Sequence, residues 1–286
     1  MLIIIGSLVV FASVIGGYTA MGGKLYVLMQ PFELVIIGGA AAGAFIISNP
    51  KAVLKGTSKA FGRMMKGPRY SKKSYVELLS LLYQLFKLAK TKGMLALESH
   101  VEKPEESSLF QQFPTIAHDH TALTFICDYL RMMTLGTDNP HEVETVLDQE
   151  LETHHAEYAS ISTALQTVAD GLPALGIVAA VLGVIKTMGA ITEPPEVLGH
   201  LIGGALVGTF LGVFLAYGFI GPMASAVKAV DEAEAKFLQC IKIGLLAHLQ
   251  GYPPAVSVEF ARKALLHGDR PTFYEIEEAV GALPPI

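Results

Sequence analysis

Apolar residues along this chain gather into four long runs. Residues 1–23 carry no charged side chain and residues 34–50 are again uncharged. Two further runs cover residues 171–185, extended past Lys186 to Ile191, and residues 197–227. A helix needs about 20 predominantly apolar residues to cross hydrocarbon, so these runs predict four membrane spans. The stretches between paired runs, residues 24–31 and the Glu-Pro-Pro-Glu of 193–196, are too short to be domains. The spans therefore form two helical hairpins.

Between the hairpins the rhythm changes. Tyr75, Leu78, Leu79, Leu82, Leu85, Phe86 and Ala89 recur at steps of three and four, the mark of one buried helical face. A second helix over 119–135 carries Leu123, Ile126, Tyr129, Leu130 and Met133 and stops at Gly136. Asn139-Pro140 supplies a cap and a first-turn proline for a helix running through Val143, Leu147, Leu151 and Leu165 into the third span. After the fourth span the helical pattern continues to Gly251-Tyr252-Pro253-Pro254, followed by short helices over 255–266 and 271–280. No strand alternation stands out. The predicted fold is an all-α membrane protein: a transmembrane hairpin (1–50), a helical cytoplasmic domain (51–169), a second hairpin (170–227) and cytoplasmic C-terminal helices (228–286). The third and fourth spans extend into the cytoplasm.

Composition fits this division. Hydrophobic residues make up 51% of the chain and charged residues 16%, and the mean hydropathy is +0.46, so the apolar surplus belongs in lipid. Orientation follows from charge. Lys51, Lys55, Lys59, Arg63, Lys66, Arg69, Lys72 and Lys73 come directly after the second run, and no acidic residue intervenes before Glu77. Positive charge beside a span marks its cytoplasmic side, which puts 51–169 and both termini in the cytoplasm. Because the cations abut a span, their counterpart is the membrane rather than nucleic acid. The first run has no basic flank of the kind a cleaved signal carries, so it is expected to remain as an anchor. Cys127 and Cys240 lack CxxC spacing and read as free thiols in a reducing compartment.

Candidate chemistry is sparse. His118-Asp119-His120 and His154-His155 lack the i, i+4 pair plus third ligand of a helical zinc site, so they read as solvated histidines. No phosphate loop and no nucleophile with a base is visible, and neither a cofactor nor an enzyme is expected. Gly203, Gly204, Gly208 and Gly212 lie inside an apolar run, where small residues let helix backbones approach. Within the four runs no Asp or Glu sits at mid-depth. An ion carrier normally needs an ionisable group there, so a partner would have to bring the carboxylate. The Thr209 hydroxyl either bonds back to its own helix or faces a pore. Pro173 and Pro222 stand near the cytoplasmic ends of spans three and four, as hinges or as boundary markers.

Residues 33–45 (ELVIIGGAAAGAF), 172–183 (LPALGIVAAVLG), 207–222 (VGTFLGVFLAYGFIGP), 251–263 (GYPPAVSVEFARK) and 270–278 (RPTFYEIEE) resemble the MotA family of flagellar motor stator proteins, which is related to TolQ and ExbB. The resemblance implies five copies around the single spans of two MotB subunits in the bacterial inner membrane. MotB would supply the ion-binding aspartate and the peptidoglycan anchor, and ion flow would turn the ring against the rotor protein FliG. It further implies that Pro173, Ala180, Thr209, Tyr217 and Pro222 serve the ion pathway and its hinge, and that Lys90, Glu98 and Glu150 meet the rotor. Lys90 stands where the family usually has arginine, keeping the charge and losing the planar fork. Sodium-type relatives carry threonine where Ala180 stands, so the resemblance implies protons rather than sodium. The alternatives are a TolQ or ExbB type energiser, which has three spans and lacks the N-terminal hairpin, a sodium-driven stator, and a stand-alone transporter.

Overall fold

The protein is described here by a computed structural model covering residues 2–137 and 139–284; Met1, at the head of the first run, lies outside them. The chain begins with α1 (Leu2–Ala20), a single turn α2 (Leu25–Leu28), α3 (Pro31–Ser48) and α4 (Lys51–Lys66). Then come α5 (Lys72–Lys92), short α6 (Glu98–Glu102), α7 (Pro114–Ala117) and α8 (His120–Thr134). Helix α9 (Pro140–Met188) is followed by α10 (Pro195–Leu215), a π-helical turn (Ala216–Ile220), α11 (Gly221–Leu249), α12 (Pro254–Lys263) and α13 (Phe273–Gly281). Among the described residues there is no strand. Four helical stretches, Leu2–Ala20, Leu25–Ser48, Pro140–Met188 and Pro195–Leu249, are long and apolar enough to cross a membrane.

Local chemistry sets the ends. Gly93 (φ 86°) and Gly136 (φ 96°) take left-handed backbone after α5 and α8, a conformation that costs other residues a steric clash. The Asp119 carboxylate caps α8 by accepting from Thr121 N at 3.1 Å and Ala122 N at 3.3 Å. Asp119 is itself buried, while His118 and His120 beside it are exposed. At α13, Thr272 Oγ1 accepts from Glu275 N and Glu275 accepts from Thr272 N, a reciprocal cap.

The chain folds as two compact units, Met1–Gly67 with Glu157–Val230 (the span unit) and Pro68–Ala156 with Asp231–Ile286 (the insert unit). These boundaries differ from the 50/51, 169/170 and 227/228 divisions read from hydropathy. The cause is α4, which the sequence shows first as a row of cations. Its other face buries Val53, Ala60 and Met64 with Ile161, Ala164 and Leu165 of α9 and Ala224 and Val227 of α11. That packing draws 51–67 and 157–169 into the span unit.

In the insert unit α5 is the central helix. Tyr75, Leu78, Leu82, Leu85 and Phe86 are buried among Phe110, Phe125, Tyr129, Phe237, Ile241 and Val258, and Phe237 stacks on Tyr70 with ring centroids 3.6 Å apart. Helix α5 ends at Lys92, between Lys90 and Glu98. A 3₁₀ turn (Met94–Leu97) follows Gly93, so the two residues sit on separate elements.

Candidate functional site

Within the span unit, α9 and α10 meet backbone to backbone. A Cβ on Gly176 would lie 2.8 Å from Gly208 O, and one on Gly212 would lie 2.6 Å from Leu172 O. Only hydrogen fits at those distances, so the glycines are what allow the two spans to close. The same seam brings the Ala180 backbone nitrogen to 3.1 Å from the Cβ position of Gly208, the residue before Thr209. Ala180 and the Thr209 turn are thus neighbours. Both residues are half-buried.

Thr187 bonds back to Gly183 O at 2.9 Å, in the manner open to a helical threonine. Among the described residues Thr209 makes no such bond, which leaves its hydroxyl available to whatever faces it.

Glu33 is the residue that sequence reasoning missed here. The uncharged run starts after it, at residue 34, but α3 begins at Pro31, so its carboxylate lies within the helical span Leu25–Ser48. Its Oε2 is buried without a hydrogen-bond partner and lies 3.1 Å from the Cβ position of Gly208. One signal was available. Glu33, Ile37 and Ala41 are spaced four apart on one face, and Ile37 and Ala41 are buried. One turn earlier, Gln30 Nε2 lies 3.1 Å from the Cβ position of Gly204, so Gln30 and Glu33 both sit on glycines of α10.

The prolines are handled differently by their two helices. Helix α9 continues through Pro173, although the ring has no N–H to give to the carbonyl four residues back. Before Pro222 the backbone instead widens into the π turn Ala216–Ile220, a distortion common at functional positions. Tyr217 lies inside that turn and is 71% exposed. Gly221, at its end, has its Cβ position 3.9 Å from Ala169 Cβ. The π turn therefore lies against the turn of α9 that Pro173 deprives of a donor.

Comparison with known proteins fits this geometry. The motility protein A N-terminal model matches residues 4–93, and that of the MotA/TolQ/ExbB proton channel family matches residues 118–239. Motility protein A of Salmonella typhimurium is 47% identical over 283 residues, covering 99% of this chain and 96% of that protein. The chain belongs to the motility protein A family. Its fold is that of the solved C. jejuni MotAB structure, with a TM-score of 0.76 at 21% identity over 93% of this chain and 95% of that one. The flagellar MotAB stator complex of Bacillus subtilis gives a TM-score of 0.71 at 23% identity over 92% and 94%.

In this member of the motility protein A family Lys90, Glu98 and Glu150, the residues for which the resemblance implies a rotor contact, lie in the insert unit. Lys90 is exposed near the end of α5, beside a cavity of about 330 Å³ lined also by Met94, Met133 and Tyr252. Glu98 is exposed at the start of α6, a helix pinned to α8 by Arg131. That guanidinium contacts Glu102 and Asp128, each at 2.7 Å. Glu150 accepts a 2.6 Å hydrogen bond from the Tyr129 hydroxyl. Burial and that bond raise the phenol above its ordinary range, so it stays protonated as a donor. Helix α8 thus holds both the Glu98 helix and the Glu150 side chain. Tyr129 and Arg131 carry no sequence mark of this role beyond residue type.

Proposed function

We propose that this chain is the stator subunit of a bacterial flagellar motor, a mechanical converter that works with a MotB-type single-span partner. Five copies surround two such partners in the inner membrane, with both termini in the cytoplasm. The partner's aspartate takes up a proton, and the protonation cycle turns the ring against FliG. The observation that carries this reading is the Ala180–Thr209 neighbourhood on the glycine seam: a free hydroxyl beside a residue that offers no ligand. Thr209 can orient water toward a carboxylate brought by the partner, while Ala180 leaves room for that group. The glycine seam keeps α9 and α10 moving as one body. Pro173 and the π turn holding Tyr217, with Pro222 after it, supply the place where that body bends. Lys90, Glu98 and Glu150 present the moving charges to the rotor.

A sodium-driven stator is the second reading. Glu33 is the observation in its favour, since its Oε2 adds an oxygen one residue from Thr209, and sodium needs several oxygen ligands where a proton needs one acceptor.

The test is co-expression of the chain and its own partner in cells lacking stators. Rotation is expected with both and with neither alone. Glu98→Lys should stop rotation while leaving membrane accumulation intact, because an exposed charge contributes little to folding. A charge reversal on FliG should restore part of the movement. Loss of accumulation in Glu98→Lys would make the residue structural and contradict the contact.

A further inference from the structure

Three helices of the insert unit, α5, α8 and α11, end around the cavity of about 330 Å³ beside Lys90. A left-handed glycine follows each of them: Gly93, Gly136 and Gly251. At the latter two the chain folds back on its own helix, with Thr137 N donating to Met132 O and Tyr252 N to Ala247 O, each at 3.2 Å. Those bonds hold Thr137 and Tyr252 in the cavity lining. Gly251 lies between them and leaves the space open, since a Cβ there would meet nothing within 4 Å. Met94, Met133, Leu249 and Tyr252 supply the apolar wall, and the His248 ring beside them is stacked on Phe86 with centroids 4.5 Å apart.

Apolar side chains do not stop at the wall. Leu95 follows Met94 and is 72% exposed, and Leu135, between Met133 and Thr137, is 81% exposed. Leucines elsewhere on the same helices, such as Leu85 and Leu130, have no exposed surface, so this end of the unit keeps apolar area that its own core does not cover. An exposed apolar cluster beside an open cavity marks a surface for another protein. Size and charge narrow the partner. One turn of a helix about 10 Å across and 5.4 Å long fills roughly 420 Å³, more than the cavity holds, so a helix lies across the mouth and only a side chain enters. Lys90 is the charged side chain of the described lining. Among the described residues it makes no ion pair, and the sequence has no acidic residue from 78 to 97. A second copy docking by this same face would set Lys90 against Lys90, whereas a carboxylate on the partner matches it.

We propose that the cavity at the shared ends of α5, α8 and α11 receives one large apolar side chain from a helix of the rotor protein, with a carboxylate one turn away on that helix meeting Lys90. The proposal rests on the stator reading and deepens it, because the contact is anchored by apolar insertion rather than by charge alone. Leu95 and Leu135 cover the entering helix on either side, and the two methionines repack around the side chain that enters. One buried side chain of leucine or phenylalanine size contributes roughly 10- to 100-fold in affinity. That is enough to engage the rotor and weak enough to release it at each step.

The test uses cells lacking stators that express the chain with its own partner. Photoreactive benzoylphenylalanine introduced at Leu135 is expected to form adducts with the rotor protein, and adducts only with a second copy or with other proteins would overturn the site. Thr137→Trp should close the mouth, cut the adduct yield roughly tenfold or more and stop rotation under load. Where that variant does not accumulate, Leu95→Ser with Leu135→Ser decides, because both side chains are exposed and contribute little to folding. It should stop rotation under load while accumulation and co-purification with the partner stay unchanged. Full rotation by either accumulated variant, beside a rotating wild type, overturns the docking site alone. A wild type that does not rotate would contradict the stator reading and this site with it.

Discussion

Helices of the insert unit meet through bulk, and those of the span unit meet through its lack. Around α5, Leu82, Leu85 and Phe86 have no exposed surface and are surrounded by aromatic rings from other elements. At the α9–α10 seam the contact atoms are Gly176, Gly208 and Gly212 backbone. Large apolar side chains such as Ile177 and Leu206 point outward. The reason is solvent. Water drives apolar side chains together in the insert unit, but lipid is as apolar as leucine, so spans associate where backbones come close. The two units should therefore fail for opposite reasons.

The largest effect is expected from adding bulk to the span unit. Gly212→Val places a branched side chain where even its Cβ would be 2.6 Å from Leu172 O, so the seam cannot close. The expected outcome is membrane-inserted chain that does not co-purify with its partner. Normal complex yield would show that the seam is not what joins the spans. In the insert unit the damaging change is removal of bulk. Phe86→Ala should cost about 3–5 kcal/mol, seen as protease cleavage within 68–156 while membrane insertion persists. Unaltered protease resistance would place the core elsewhere.

The smallest effect is electrostatic. The hydrogen bond from Lys72, together with those from Thr272, pulls the Glu275 carboxyl down to about 2. A depressed carboxylate contributes stability that is complete above its ordinary value of about 4.3 and is lost as pH falls through about 2. The protection factor of the α13 amides against hydrogen exchange should be unchanged from pH 8 to 5 and fall only below about 4. A loss of protection already at pH 6 would contradict the Lys72–Glu275 contact at 2.7 Å.

The same contrast explains what the sequence made legible. Half-buried helices write their contacts as a three- and four-residue rhythm, so α5, α8 and the Pro140 start could be read, with Gly136 and Pro140 marking ends. Spans are apolar on every side and have no such rhythm, so only their glycines hinted at the seam. Helix α4 was obscured because its buried face includes small or polar Thr57 and Ala60 beneath an obvious row of lysines. Glu33 was hidden by drawing the span from its uncharged residues rather than from Pro31, and the π turn has no sequence mark other than the proline after it. Pro173, Ala180, Thr209, Tyr217 and Pro222 could be picked out through resemblance, not from spacing. The structure adds which of them adjoin.

The central claim is that a proton, taken up by the partner's carboxylate beside Ala180 and Thr209, drives the motion. Swimming speed of cells powered by this chain and its own partner, measured across a sodium titration at fixed pH and membrane potential, tests it most directly. The account predicts a flat response to sodium and a speed that follows the proton-motive force. A saturable rise with sodium, abolished when potassium replaces it, would contradict the account and bring the Glu33 oxygen into the ion site.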